Sequence, residues 1–300
     1  MNESVRSLLR TIPTARTRAA LSGTRKVRTE VTKMVAGFRL AMIGLALVVV
    51  PHVVHADTLA ALRARLAGYP DDTVVSGVLA VSRDSTKGKG KHAKQSRAKI
   101  QLDVSARRGV SLHVPGSVLA RAMHEMDAAR ANPELPSPTA DLFASIGPLQ
   151  AERMLDVAST LRLTLTNAKL VRTVPGQLDG TALREVQLLL PLSANKGDRS
   201  KIKKYTSHMT IWLDKDGVPV AYTLTTVTEV GWLFLDLNLD RTEAVRVVDH
   251  EGRLIATKYI VSERTSGLGQ HRQSTTTYTL QLLPTRSTSA RQPPIRSAAS

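Results

Sequence analysis

Residues 233–240 read LFLDLNLD, with leucine at every odd position and a polar residue at three of the four even positions. Successive side chains of a β-strand point to opposite faces, so this alternation predicts a strand with one buried face and one solvated face. Strands of this kind are typical of antiparallel sheets, because parallel sheets are usually covered on both faces. The segment therefore predicts an antiparallel sheet that is covered on one side.

Apolar runs with strand-like alternation recur on both sides of this segment. The segments Lys215-Asp216-Gly217 and His250-Glu251-Gly252 supply the residue types of hairpin turns between successive strands. We predict strands over residues 73–83, 98–104, 110–114, 169–174, 182–192, 205–214, 218–230, 232–248, 253–263 and 273–283.

Helical spacing appears in two places. Asp57-Thr58 is expected to cap a short helix that ends at Gly68 and Pro70. Residues 117–131 predict a second helix, residues 132–138 a proline-rich break, and Pro148 the start of a longer helix through Leu161. The predicted fold is α+β. It is a curved antiparallel sheet, an incomplete β-barrel, covered by an N-terminal helix and by helices inserted at about residues 117–167.

An export signal is predicted at the start of the chain. Residues 40–50 are apolar, Lys33 and Arg39 precede them, and small residues lead to a cleavage point near Ala56. The apolar run is shorter than the roughly 20 residues that a spanning helix needs. The long basic leader leaves open a true start at Met34, an organelle transit peptide, or an uncleaved inner-membrane anchor over residues 40–54. The expected division is a signal over 1–56, one domain over 57–283 and a disordered tail over 284–300.

The composition narrows the classes of chemistry and partner. The chain has no cysteine, which excludes disulfides, thiolate metal ligands, cysteine nucleophiles and a lipid-bearing cysteine. After residue 56, 33 basic residues stand against 23 acidic ones, a formal charge of +10. This excess favours anionic membrane lipid, lipopolysaccharide or other polysaccharide, or acidic protein surfaces as partners. Export makes nucleic acid an unexpected partner.

No catalytic motif is complete. His124-Glu125 begins a zinc-protease motif, but Ala128 stands where the second histidine is needed, so a solvated helix face is the favoured interpretation. Ser193 with Lys196 and Ser200 with Lys203 match the Ser-x-x-Lys of penicillin-recognising enzymes, yet the partner motifs of those enzymes are missing. We therefore expect a non-enzymatic protein with no metal site and no cofactor.

Two basic segments each join a pair of predicted strands. If those strands are neighbours, both segments project from one rim of the sheet and form an anion-binding patch. The alternative is that lysine-rich hairpin tips keep a β-protein soluble and protect its edges. The candidate anion-binding residues are Lys87, Lys89, Lys91, Lys94 and Arg97 in the first segment and Lys201, Lys203 and Lys204 in the second.

Residues 211–219, IWLDKDGVP, resemble a strand-turn-strand segment of the lipoprotein-carrier and sigma-regulator superfamily of the bacterial periplasm. The order of a short helix, a meander, inserted helices and further strands is similar to that superfamily as well. The resemblance implies an incomplete barrel wrapped around helices, with a hydrophobic cavity that holds acyl chains or docks a partner. It assigns no functional residue to a position of this chain.

The sequence thus favours an exported, periplasmic or secreted protein that binds a lipid-like or other apolar ligand, with its basic loops on anionic headgroups. The same apolar residues would equally serve to pack the sheet on the inserted helices. A second function class is a regulatory or scaffold module that docks an envelope protein through a sheet edge or the basic rim. The candidate ligand-lining residues are Leu224, Leu233, Leu235, Leu237 and Ile255.

Overall fold

The computed structural model describes residues 55–70, 74–88, 93–106, 110–192, 199, 201–232, 235–267 and 270–284. The predicted export signal up to residue 54 and the predicted tail from residue 285 lie outside the described residues. Within them, no helix is both long enough and apolar enough to span a membrane.

Ten strands in the described part of the chain form one open antiparallel sheet, in the spatial order β3-β2-β1-β10-β9-β8-β7-β6-β5-β4. The first and last strands of the chain, β1 and β10, pair with each other near the middle of the sheet. The strands are β1 (Val75–Lys87), β2 (Lys94–Ala106), β3 (Val110–His113), β4 (Lys169–Leu178), β5 (Thr181–Leu189), β6 (Ile202–Leu213), β7 (Pro219–Trp232), β8 (Leu235–His250), β9 (Arg253–Gly267) and β10 (Gln270–Leu282).

Five helices accompany the sheet in the described residues: α1 (His55–Ala67), α2 (Gly116–Ala131), α3 (Pro138–Ser145), α4 (Pro148–Leu155) and α5 (Val157–Leu165). One precedes the first strand, and four are inserted between β3 and β4. The predicted α+β class, with an antiparallel sheet, an N-terminal helix and inserted helices, is confirmed.

Three details of the predicted helices are wrong. Helix α1 begins at His55 and not at a cap formed by Asp57-Thr58, and α3 begins inside the predicted break, at Pro138. The predicted long helix after Pro148 is two helices that meet at Asp156, whose backbone is not helical. The Asp156 carboxylate accepts a hydrogen bond from the Ser159 amide at 3.0 Å, so it starts a new helix rather than continuing the old one.

The first hairpin is also longer than its hydrophobic pattern indicates. Strands β1 and β2 stay paired out to Lys87 opposite Lys94, where the sequence predicted a loop. Ser85 Oγ lies 2.7 Å from Ser96 Oγ, and Arg97 forms an ion pair with Asp84 across the same two strands. Polar cross-strand pairs extend the ladder beyond the apolar residues, and such pairing cannot be recognised from hydrophobic alternation.

The helices cover one face of the sheet, which we call the inner face. The fully buried side chains of Leu79, Leu102 and Ile211 on the strands and of Leu66 and Leu161 on the helices belong to one continuous core. Burying each such side chain contributes roughly 1.5–3 kcal/mol. The core holds the helices on the sheet, and a smaller buried cluster of Leu178, Trp212 and Ala221 lies on the other face.

An arginine ties the first helix to the last one. Arg63 of α1 donates from Nη2 to the carbonyl oxygen of Leu165 at 2.6 Å and to that of Ala168 at 3.3 Å. The last carbonyls of a helix have no partner within the helix, and a cation there is favoured by the helix dipole. This contact fixes α1 against the C-terminal end of α5.

Candidate functional site

The two predicted basic segments lie at the same end of the sheet. Lys87 faces Lys94 across β1 and β2 and faces Arg272 across β1 and β10. Further along the sheet, Gly267 lies opposite Leu237, and Leu237 lies opposite Val230. Val230 in turn lies opposite Ile202, which is next to the second segment. We call this end the basic rim, formed by Lys87, Lys94, Lys201, Lys203, Lys204 and Arg272. Lys89 and Lys91 lie outside the described residues.

Four of the six predicted anion-binding cations that the structure describes already have a carboxylate partner. Lys94 pairs with Glu134, Arg97 with Asp84, Lys203 with Asp236 at 2.6 Å, and Lys204 with Glu229 at 3.4 Å. All of these side chains are well exposed, so the pairs contribute little to stability and remain open to competition by another anion.

Two of the rim cations that were predicted, Lys87 and Lys201, have no ion pair within the described residues, and neither does Arg272. Sequence reasoning missed Arg272, because its place on the rim depends on β10 pairing with β1.

The opposite end of the sheet carries acidic residues, including Asp214 and Asp216 after β6, Asp249 at the end of β8 and Glu251 after it. Asp214 Oδ1 accepts the amides of Asp216 at 2.9 Å and Val218 at 2.8 Å. The IWLDKDGVP segment is therefore a strand, a tight turn held by its aspartate, and a second strand, as predicted. These acidic residues lie at the end of the sheet opposite the basic rim.

The candidate ligand-lining residues do not all come together. Leu224 of β7 and Leu237 of β8 are half-buried on the inner face, while Ile255 is completely enclosed in the core near the opposite rim. Leu224 packs against the edge of the core. Leu233 lies outside the described residues, and so does the side chain of Leu235, whose backbone begins β8.

The burial of the inner face decreases towards the basic rim. Tyr222 on β7 and Val245 and Glu243 on β8 are buried, whereas the inner-facing residues beyond them towards the rim are only half-buried. The helices make their main contacts with β2, β3, β4 and β9, so this part of the sheet is left open. We call this surface the rim patch; it comprises Leu224, Thr226, Thr228, Val230, Leu237 and Leu239.

The rim patch follows the predicted alternation of β8. Leu237 and Leu239 are half-buried on the inner face, and Asp236, Asn238 and Asp240 between them are exposed on the outer face. With an advance of about 3.3 Å per residue, the patch extends roughly 20 Å along β7 from Leu224 to Val230. It is a long, narrow surface of leucine, valine and threonine methyl groups.

A buried polar network lies beside the patch. Arg241 donates to Glu243 and to Glu263, both at 2.8 Å, and Tyr259 donates to Glu243 at 2.7 Å. Burial opposes the charge of Arg241, but the attraction to the Glu243 carboxylate raises its pKa above the ordinary value. The network keeps a charged arginine on the inner face, with its donors directed at carboxylates.

A cavity of about 400 Å³ lies away from the rim patch. It is an open surface between the β4–β5 hairpin and the turn after β6, with Pro175, Leu183 and Lys215 in its lining. None of the residues predicted to bind a ligand lines it.

The incomplete zinc motif has a structural role. His124 is exposed, but Glu125 is half-buried and accepts the amides of Thr139 at 2.6 Å and Ala140 at 3.1 Å, which caps helix α3 from α2. Glu125 is thus a capping residue and not part of a solvated face. Among the described residues, no group of three or more acidic or histidine side chains is placed to hold a metal ion.

Comparison of the chain with known protein families, curated proteins and solved structures gives no match. Any function must therefore be argued from the geometry of the inner face and the basic rim.

Proposed function

We propose that this protein is a non-enzymatic envelope protein that binds a lipid-like ligand on the rim patch. The observation that carries the proposal is the decrease in burial along the inner face of β7 and β8, from Tyr222 in the core to Val230 at the rim. Apolar side chains continue from the core onto the rim patch, which the helices of the described chain cover less than they cover the core.

An acyl chain suits this surface in chemistry and shape. Covering apolar surface stabilises a complex by about 25 cal/mol per Å² removed from water, and leucine, valine and threonine methyl groups offer such surface in a narrow row. The basic rim at the end of the row would attract an anionic headgroup.

The test is native mass spectrometry of the full chain, expressed in a bacterial host and purified without detergent, followed by lipid extraction. We expect co-purifying acyl species in the wild type and at least a tenfold loss in the double variant Leu237→Asn, Leu239→Asn. The matched control is Thr242→Asn, an exposed residue on the outer face of the same strand, and it should retain the lipid.

A wild-type protein free of lipid, and unable to take up added lipid, would disprove the proposal. Equal lipid content in the double variant and the control would also contradict it, provided that both variants melt as the wild type does.

The open edge of the sheet favours a second candidate, the docking of an envelope protein. Strand β4 pairs only with β5, and Val171 on it is 55% exposed. An unpaired edge accepts a strand from another chain through backbone hydrogen bonds. Cross-linking of an envelope extract with the wild type and with Val171→Pro should show a partner that the proline variant loses; a partner retained equally would count against edge docking.

A further inference from the structure

A row of positive charges crosses the inner face on strands β2, β1 and β10, away from the rim patch on β7 and β8. Lys94 of β2, Lys87 of β1 and Arg272 of β10 occupy one rung of the ladder, and Arg83 lies four residues before Lys87 on the same face of β1. Like charges directly opposite each other destabilise an antiparallel pair. An arrangement of this kind calls for a compensating anion.

The described residues compensate only part of this charge. Lys94 pairs with Glu134, but Arg83, Lys87 and Arg272 form no ion pair within the described part of the chain. Arg83 Nη2 donates a long hydrogen bond of 3.4 Å to Ser274 Oγ, and its buried Nε has no hydrogen-bond partner among the described residues. A buried donor without an acceptor is costly, because it has lost its hydrogen bonds to water.

The electrostatic surroundings of Arg83 agree with this deficit. Burial, followed by repulsion from Arg272, lowers the pKa of Arg83 below its ordinary value. Glu263 and Asp141 act in the opposite direction and do not outweigh these effects. The partly buried Arg83 and the exposed Arg272 thus lie near two carboxylates, Glu263 and Asp141, of which Glu263 is already paired with Arg241.

These groups line one small cavity. Its walls are formed by Arg83, Ser85, Ser96, Ala98 and Arg272 on the strands and by Pro138 and Asp141 on α3. The cavity has about 10 Å³, which is room for one phosphate oxygen but not for a whole phosphate group; the rest of such a group would lie outside it, beside the exposed Arg272. The hydroxyls of Ser85 and Ser96 form a hydrogen bond with each other at 2.7 Å, so one of the two O–H groups can still donate to a ligand beside the two arginines.

We propose that this cluster of Arg83, Lys87, Arg272, Ser85 and Ser96 binds a phosphate group, which on the proposed function is the headgroup phosphate of the bound lipid. Guanidinium groups donate two parallel hydrogen bonds to phosphate oxygens, and phosphate supplies more acceptors than a carboxylate does. This inference rests on the proposed function for the identity of the ligand, and the test below separates the two.

The register connects the phosphate site to the rim patch. Arg272 lies opposite Thr265, and Thr265 lies opposite Leu239. Two strand spacings of about 4.8 Å therefore separate Arg272 from Leu239 on the same face. A phosphate held by Arg83 and Arg272 places the attached chains within about 10 Å of the rim patch.

The experiment uses the full chain and three probes: inorganic phosphate, dihexanoyl phosphatidylglycerol, and dihexanoylglycerol, which has the same chains without the phosphate. Affinities are measured for the wild type, Arg83→Gln and Arg272→Gln. The control is Arg264→Gln, which removes the same charge from an exposed position on the outer face of β9. In parallel, the Nε–Hε resonance of Arg83 is followed by NMR.

We expect the phosphorylated lipid to bind at least tenfold more tightly than the neutral lipid, and Arg83→Gln and Arg272→Gln each to remove this advantage while Arg264→Gln keeps it. The Arg83 resonance should shift with the phosphorylated lipid. If inorganic phosphate shifts the Arg83 resonance and binds about as tightly as the phosphorylated lipid, the site is one for a small phosphate compound and not for a lipid headgroup.

Equal binding of the two lipids would overturn the phosphate site and leave the proposed lipid binding intact. A shift of Arg83 with inorganic phosphate, in a protein that binds neither lipid, would keep the phosphate site and disprove the lipid-binding function. If no probe binds and the Arg83 resonance does not move, both are wrong. Arg272 is exposed, so Arg272→Gln tests the site even if Arg83→Gln fails to fold.

Discussion

Tyr259 Oη donates a 2.7 Å hydrogen bond to Oε2 of Glu243 on the neighbouring strand β8, and both side chains are buried. The other carboxylate oxygen of Glu243 accepts from Arg241 at 2.8 Å. Glu243 is only 8% exposed, so its charge depends on these two donors. A buried carboxylate that keeps both partners is tolerated, and one that loses its cation is strongly unfavourable.

Replacing Arg241 with methionine should lower the free energy of unfolding by about 3 kcal/mol, because Glu243 would remain buried without its cation. The matched control is Arg246→Met on the same strand, whose partner Asp179 has a side chain 75% exposed; it should cost less than about 1 kcal/mol. Urea unfolding of both variants measures the difference. Equal losses would mean that the network contributes no more than a surface pair.

Alkaline pH should destabilise the protein through its buried tyrosines. Burial, and then the nearby Tyr259, raises the pKa of Tyr222 in the folded state. Burial, and then the nearby Glu243 carboxylate, raises the pKa of Tyr259. A raised folded-state pKa gives stability that is complete below the unfolded pKa of about 10 and is lost as the pH rises above it. At about pH 11, the folded protein should therefore show less phenolate absorbance than five ionised tyrosines would give, and the full absorbance should appear only when the protein unfolds.

The variant Tyr259→Phe provides the check on this pH dependence. It should reduce the loss of stability between about pH 10 and pH 11 relative to the wild type, because one of the phenols with a raised pKa is removed. If the wild type shows all its tyrosines ionised while still folded, the prediction is wrong.

Gly77 lies where β1 and β10 approach closely. A methyl group added there would lie 2.7 Å from the Gln281 carbonyl oxygen and 2.9 Å from Leu280 Cδ1. Gly77→Ala should therefore lower stability by about 1–3 kcal/mol, as overpacking does in other cores. Gly116→Ala, at a position with no atom within 4 Å of the new methyl group, should be neutral or slightly stabilising. Calorimetry of the two variants tests this, and a neutral Gly77→Ala would refute the close contact.

Substitution of Asp156, where α4 and α5 meet, tests whether its side chain caps α5. Asp156→Ala removes the hydrogen bond to the Ser159 amide and should cost about 1 kcal/mol. Ser137 occupies the corresponding position before α3 but makes no side-chain capping bond, so Ser137→Ala should cost less. Amide hydrogen exchange at Ser159 reports the loss of the cap directly, and unchanged protection in Asp156→Ala would contradict the assignment.

The strands were the most predictable part of the molecule, because apolar alternation is a local signal. The outer-facing Asp236 and Asn238 and the inner-facing Leu237 of β8 lie as their period of two predicts. The helices were less predictable at their ends, since Asp156 looks like an ordinary helix residue until its carboxylate is seen to cap the next helix. The polar ends of β1 and β2 were missed because serine and charged residues give no hydrophobic pattern.

The candidate site was predictable only in part. Leu224 and Leu237 lie on one face as expected, but Ile255 lies in the core near the other end of the sheet. Four of the predicted anion-binding cations, Lys94, Arg97, Lys203 and Lys204, form ion pairs with carboxylates that sequence reasoning did not assign to them. The choice of partner depends on which strands are neighbours.

The sequence by itself determined the class of the fold, the positions of most strands, the absence of thiol chemistry and the excess of positive charge. The tertiary structure decided which charges meet. Arg83 and Lys87 lie near the start of the domain and Arg272 near its end, and they share a cavity or a rung only because β1 pairs with β10. That pairing and its register arise from the burial of the whole inner face, which is a long-range effect that no local pattern of residues contains.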